Sequence, residues 1–226
     1  MADAREQHPT DRPTTAATAV LVAAPAGADE TATLPLPAER THTLATDVAL
    51  VASFAAFVAV GALFSIPTGT GVPITLQTLA VILAGLVLGP RRGALAVLLY
   101  LGVGVAGVPV FAEGTSGLAV LAGVTGGYLV AFPLAAAVAG LLASAARQAT
   151  GLARYLVLVA SGITASALVV HPLGIANIAW RAGLSAEEAF RAGAIYFPGD
   201  VVKNLLAAAV AVAVFAHYPD LLRRRR

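Results

Sequence analysis

The sequence predicts an all-α integral membrane protein with six transmembrane helices, and three observations carry that prediction. Charged residues make up 12% of the 226-residue chain and hydrophobic ones 58%, whereas soluble domains carry about a quarter charged residues. Apolar runs approaching the roughly 20 residues of a bilayer crossing recur from residue 45 to residue 216. The Arg residues fall in short clusters between those runs, the pattern by which membrane proteins encode orientation. A net charge of +2 built from such clusters, not from one basic stripe, sets aside a nucleic-acid partner.

Taken in order, residues 1–44 are rich in Ala, Thr and Pro with interspersed charges, and read as a disordered cytoplasmic tail. A mildly apolar stretch at 16–27 contains Pro25 and lacks the basic start of a signal peptide. The predicted spans are 45–66, 74–88, 93–108, 123–145, 155–176 and 198–216, forming a membrane domain over 45–217. The second and third are short. Residues 218–226 form a basic cytoplasmic tail. Arg91 and Arg92, Arg147 and Arg154, and the run from Arg223 to Arg226 share one side, against Arg181 and Arg191 on the other. That eight-to-two split (2 + 2 + 4 against 2) places both termini in the cytoplasm of a cell-membrane protein. A five-span chain would expose the terminal Arg run. The outward loops, 67–73, 109–122 and 180–197, hold most of the Gly, Pro and aromatic residues outside the spans, and such loops can fold over a cavity. In the last, Ser185 followed by Glu187 and Glu188 predicts an N-capped surface helix through Phe190.

Several chemistries are excluded. The chain has no Cys, hence no disulfide, no Cys-ligated zinc and no thiolate catalysis. Gly102, Gly104 and Gly107 lie in an apolar span with no Lys following, so they are packing glycines and not a nucleotide loop. His171, before Pro172, has no second ligand at metal spacing and reads as a satisfied polar residue at a helix irregularity. No nucleophile–base set or paired carboxylates stand at catalytic spacing, so neither an enzyme, a metal nor a cofactor is expected.

Ionisable residues inside hydrocarbon are costly, which singles out Asp200 and Lys203. At i, i+3 they share a helix face and lower each other's desolvation cost. They form either a structural ion pair or a pocket for a polar head group. Asp accepts and Lys donates, which suits a ligand presenting N–H groups beside a carbonyl, such as a cyclic urea. Thr125, Gly126 and Gly127 precede Tyr128; they form either a close backbone approach that favours an anion or a plain helix start with an interfacial Tyr. In the first helix, Ala52 with Ala56 and Ala55 with Ala59 permit close approach of another helix, from this chain or another subunit.

The segments IPTGTGVPITLQTL (66–79), LGPRRG (88–93), VPVF (108–111), VTGGY (124–128) and FPGDVVK (197–203) together resemble the BioY family, the biotin-specific S components of energy-coupling-factor vitamin importers. The likeness spans roughly residues 45–215; Val124 stands where many relatives have Pro. The resemblance implies a six-helix S-component fold with an outward-facing biotin pocket covered by the first loop. It implies that Asp200 and Lys203 bind the ureido ring, Tyr128 packs on the bicycle, Gly126 and Gly127 line the pocket, and Gln77 lies near the closing loop. It further implies that the small face of the first helix (Ala52, Ala55, Ala56, Ala59) docks a transmembrane coupling subunit, with separate ATPase subunits supplying energy. The alternative is a self-sufficient secondary transporter in which Asp200 cycles its proton.

Overall fold

In the computed structural model, residues 44–69 and 71–223 are described; the tail predicted over 1–44 lies outside them except for Leu44. The first apolar run forms α1 (Leu44–Leu63), about 30 Å long at 1.5 Å per residue. Only Ala55, Val58, Gly61 and Ala62 of it are buried, while Val48, Phe57, Val60 and Leu63 face outward. Large apolar side chains on the outer surface of a helix suit lipid, not water. Of the two small-residue rows, Ala52 and Ala56 are exposed, whereas Ala55 is buried and Ala59 half-buried.

Strands β1 (Ser65–Ile66) and β2 (Ile74–Thr75) form a small antiparallel hairpin pairing Ser65 with Thr75. Then α2 (Gln77–Leu88) runs for 12 residues with all but Thr78 and Leu79 buried. It packs against α1 and against α3 (Pro90–Val105), α5 (Gly126–Leu142), α6 (Gly151–Ala165) and α9 (Phe197–His217). A Cβ on Gly85 would run into the Ala136 carbonyl, so glycine there sets how closely α2 and α5 cross. Gly89, at φ 85°, turns the chain from α2 into α3, a backbone region open chiefly to glycine, and Pro90 starts the new helix.

The six expected spans differ in length, the second and third being short as expected. Four helical stretches among the described residues are long and apolar enough to cross a membrane: Leu44–Leu63, Gly126–Arg147, Gly151–Ala182 and Phe197–His217. At about 18 Å and 24 Å, α2 and α3 fall short of the roughly 30 Å hydrocarbon core. The protein is thus an all-α, multi-pass membrane protein whose central helix is sheltered by its neighbours.

The second loop holds a 3₁₀ turn (Ala112–Gly114) and α4 (Leu118–Ala122). It is pinned by Phe111, fully buried against Tyr100 with ring centroids 5.6 Å apart and seated where a Cβ on Gly104 would lie. The fifth predicted span is longer than expected: α6, a π turn (Ser166–Val170) and α7 (His171–Ala182) form one 32-residue helix. Pro172 has no N–H to offer the preceding turn, where the ladder widens. The predicted surface helix is α8 (Ala186–Ala194), with Ser185 and Glu188 forming a reciprocal capping box. A short α10 (Pro219–Arg223) follows α9.

Candidate ligand-binding site

The starts of three helices and parts of all three predicted outward loops meet around a cavity of about 250 Å³. Because α2 begins directly after β2, Thr75, Gln77 and Thr78 reach its wall; α5 contributes Tyr128, Leu129 and Phe132; α9 contributes Asp200 and Lys203 one turn in from its start. Residues 71–75 and 111–113, with Thr115, Val120, Thr125 and Tyr196, complete the lining.

Asp200 is only 4% exposed, yet its carboxylate is well supplied with donors. Oδ1 accepts from Lys203 Nζ at 2.9 Å and from the Thr78 hydroxyl at 2.9 Å, and Oδ2 lies 3.2 Å from His171 Nε2. Lys203 Nζ also donates to Thr78 Oγ1 at 3.1 Å, so one hydroxyl bridges acid and amine. Burying two charges is costly unless geometry and extra hydrogen bonds compensate, and these contacts supply that compensation at the cavity wall. Behind the pair, Asn204 Nδ2 donates to Ser166 Oγ at 3.1 Å and to the Asp200 carbonyl at 2.8 Å.

The apolar walls carry rings. Tyr128 meets Tyr196 edge to face at 5.9 Å between centroids, and the back of its ring packs where a Cβ on Gly174 would lie. The Tyr128 hydroxyl is buried and has no hydrogen-bond partner among the described residues. Tyr196 donates its hydroxyl to the Val72 carbonyl at 2.5 Å, and the Thr68 hydroxyl donates to the same carbonyl at 2.7 Å. The hairpin loop is thereby fastened to the residue preceding α9. Gln77 is held by donating to Tyr100 at 2.6 Å and accepting from Thr75 at 3.0 Å.

Of the residues singled out in the sequence, Asp200, Lys203, Tyr128 and Gln77 thus border one cavity. Gly126 and Gly127 do not line it. A Cβ on Gly126 would meet the Leu121 carbonyl, and one on Gly127 would meet Asn177 and the Leu173 carbonyl. These glycines let α5 approach α4 and α7 closely, and the backbone contact they permit is with neighbouring helices. Sequence reasoning passed over Thr78 and Tyr196; it placed His171 at a helix irregularity, where the π turn lies, but gave it no part in the site. Two signals were present: Thr78 adjoins Gln77 in the same segment, and Tyr196 precedes Asp200 by four residues, hence by one helical turn. The site combines an anionic acceptor, a cationic donor and aromatic faces within one hollow, which suits a small, flat ligand with adjacent N–H and C=O groups.

A family model described as the BioY family matches residues 31–220. The chain is 40% identical over 182 residues to the biotin transporter BioY of Rhizobium etli, covering 79% of this chain and 97% of that protein. To the biotin transporter BioY of Rhodobacter capsulatus it is 41% identical over 193 residues, covering 79% and 98%. Among solved structures, the S-component for biotin from an ECF-type ABC transporter aligns with a TM-score of 0.66 at 24% identity, over 74% of this chain and 89% of that one. The fold is therefore the S-component fold.

Proposed function

This chain belongs to the BioY family, and from that premise we propose that it captures biotin as the S component of an energy-coupling-factor importer. The observation that carries this reading is the buried Asp200–Lys203 pair, bridged by Thr78 on the wall of a ring-lined cavity. Biotin joins a planar urea to an apolar sulfur-containing ring and a chain ending in carboxylate. Asp200 accepts a ureido N–H and Lys203 donates to the ureido carbonyl. Tyr128 packs on the bicycle, with Leu129 and Phe132 as apolar neighbours. Gln77 borders the same hollow, under the loop that Tyr196 holds in place. The cavity faces outward, and both termini are cytoplasmic, in keeping with the Arg distribution.

The protein acts as a non-enzymatic binding subunit. Nucleotide hydrolysis belongs to partner ATPase subunits, reached through a transmembrane coupling subunit. The exposed row of Ala52 and Ala56 on α1 suits close packing of a partner helix; Ala55 and Ala59 turn toward the bundle. The direct test is binding of radiolabelled biotin to the purified protein, with Asp200→Asn and Lys203→Ala each expected to lose it. Unchanged affinity in both variants removes the site assignment. Ala56→Trp is expected to retain biotin binding while losing co-purification with the coupling subunit. Uptake that persists without any ATPase subunit and collapses with the proton gradient would instead make the chain a self-sufficient secondary transporter.

A further inference from the structure

We infer that His171 is a positioning residue that fixes the Asp200 carboxylate, leaving a single acceptor position for an N–H of the bound ligand. The ligand's identity rests on the biotin reading above; the His171–Asp200 arrangement does not.

The π turn delivers this contact. In a regular α-helix, residues five apart point about 140° away from each other. The wider π turn at Ser166–Val170 instead presents Ser166 and His171 to the same neighbour, α9. There they meet Asn204 and Asp200, one turn apart: Asn204 Nδ2 donates to Ser166 Oγ at 3.1 Å, and His171 Nε2 stands 3.2 Å from Asp200 Oδ2. The imidazole is 2% exposed and stacks on Phe197 at 3.9 Å between centroids, 21° from parallel, which fixes the ring plane.

Hydrogen-bond bookkeeping then sets the tautomer. An ionised carboxylate is acceptor-only, so the proton sits on His171 Nε2. His171 Nδ1 is buried without a partner among the described residues, and a proton there would be an unsatisfied buried donor. Nε2–H is therefore the donor to Asp200. A carboxylate offers about four lone-pair sites. Lys203 and Thr78 occupy both on Oδ1, and His171 occupies one on Oδ2. One site remains, so Asp200 distinguishes between the two ureido nitrogens of biotin. Without His171 both Oδ2 positions open, and that discrimination relaxes.

Two measurements test this. In ¹⁵N-histidine NMR of the ligand-free protein, the signal removed by His171→Gln is expected to show a proton on Nε2 and to shift in Asp200→Ala. A ring with no proton on Nε2 overturns the proposal, whatever the protein binds. Affinities for biotin and its two mono-N-methylated ureido analogues are then compared across variants. In the wild type one methyl isomer binds far more weakly than the other. In His171→Leu, biotin affinity falls roughly 10- to 100-fold and the ratio between the isomers shrinks toward one; His171→Gln, which keeps a side-chain N–H, restores most of both. A purely structural His171 would lower the melting temperature in His171→Leu and leave the isomer ratio untouched, which overturns the proposal. If His171→Leu does not fold, the NMR result decides the matter. Wild-type protein that binds no biotin, yet keeps the Nε2–H signal and its response to Asp200→Ala, defeats the biotin reading while supporting the positioning contact.

Discussion

Replacing Thr78 with valine removes one hydroxyl and keeps the branched shape, so its effect can be worked out from two contacts. The hydroxyl donates to Asp200 at 2.9 Å and accepts from Lys203 at 3.1 Å. A hydrogen bond to a charged group contributes about 1.5–3 kcal/mol. The direct Lys203–Asp200 contact at 2.9 Å survives the change, and Thr78 is only half-buried, so water replaces part of the loss. The lower end applies, about 1.5 kcal/mol, or roughly a tenfold rise in the Kd for biotin. Thr78→Ser, which keeps the hydroxyl, is expected within about threefold of wild type on the same reasoning. Equilibrium binding of labelled biotin to detergent-purified protein measures this, with thermal unfolding run alongside to show that the fold is kept. If Thr78→Val binds like wild type while Asp200→Asn does not, the bridging hydroxyl plays no part in recognition and the reasoning fails.

Tyr196→Phe removes the donor that fastens the hairpin loop at Val72; biotin dissociation should quicken about fivefold with little change in association, as read by washout kinetics. Gly85→Ala forces a methyl group into the Ala136 carbonyl, and should destabilise the protein by about 1–3 kcal/mol in thermal unfolding through overpacking of α2 against α5. At the α8 N-terminus, hydrogen bonds from the Ser185 hydroxyl and then its backbone N–H hold the Glu188 carboxyl below the usual carboxylate range. A lowered folded-state value means the cap is fully formed above the ordinary Glu range and is lost as pH falls through that lowered value. An NMR titration of Glu188 should show a midpoint that moves up in Ser185→Ala.

Much of this was legible one segment at a time. Hydropathy located each of the four helical stretches long enough to cross a membrane among the described residues, the Ser185–Glu188 spacing announced α8, and a Lys one turn after an intramembrane Asp marked the cavity wall. What could not be read depends on which helix lies beside which. A 12-residue apolar run looks the same whether it spans lipid or sits inside a bundle, so α2 was extended back to Ile74; Gly89 and Pro90, which end it, were visible but ambiguous. Thr78 and Asp200 are 122 positions apart, and no local pattern links them. The π turn shifts the register of His171 in a way that a 3.6-residue period does not predict. Gly126 and Gly127 announced a close backbone approach, but a glycine does not say whether the visitor is a ligand or another helix. The two Ala rows of α1 were likewise equivalent until packing turned one inward.

The depth of the acid–amine pair has a consequence for passage across the bilayer. Asp200 lies in the first turn of α9, and the helix continues for about 25 Å beyond it at 1.5 Å per residue. Alongside that length, Ala207, Ala208 and Ala211 of α9, Leu86 and Val87 of α2 and Ala135, Ala136 and Ala139 of α5 are all essentially sealed from solvent. The hollow is a cup with a solid floor. Among the described residues, these packed side chains close the hollow on the side away from the three outward loops.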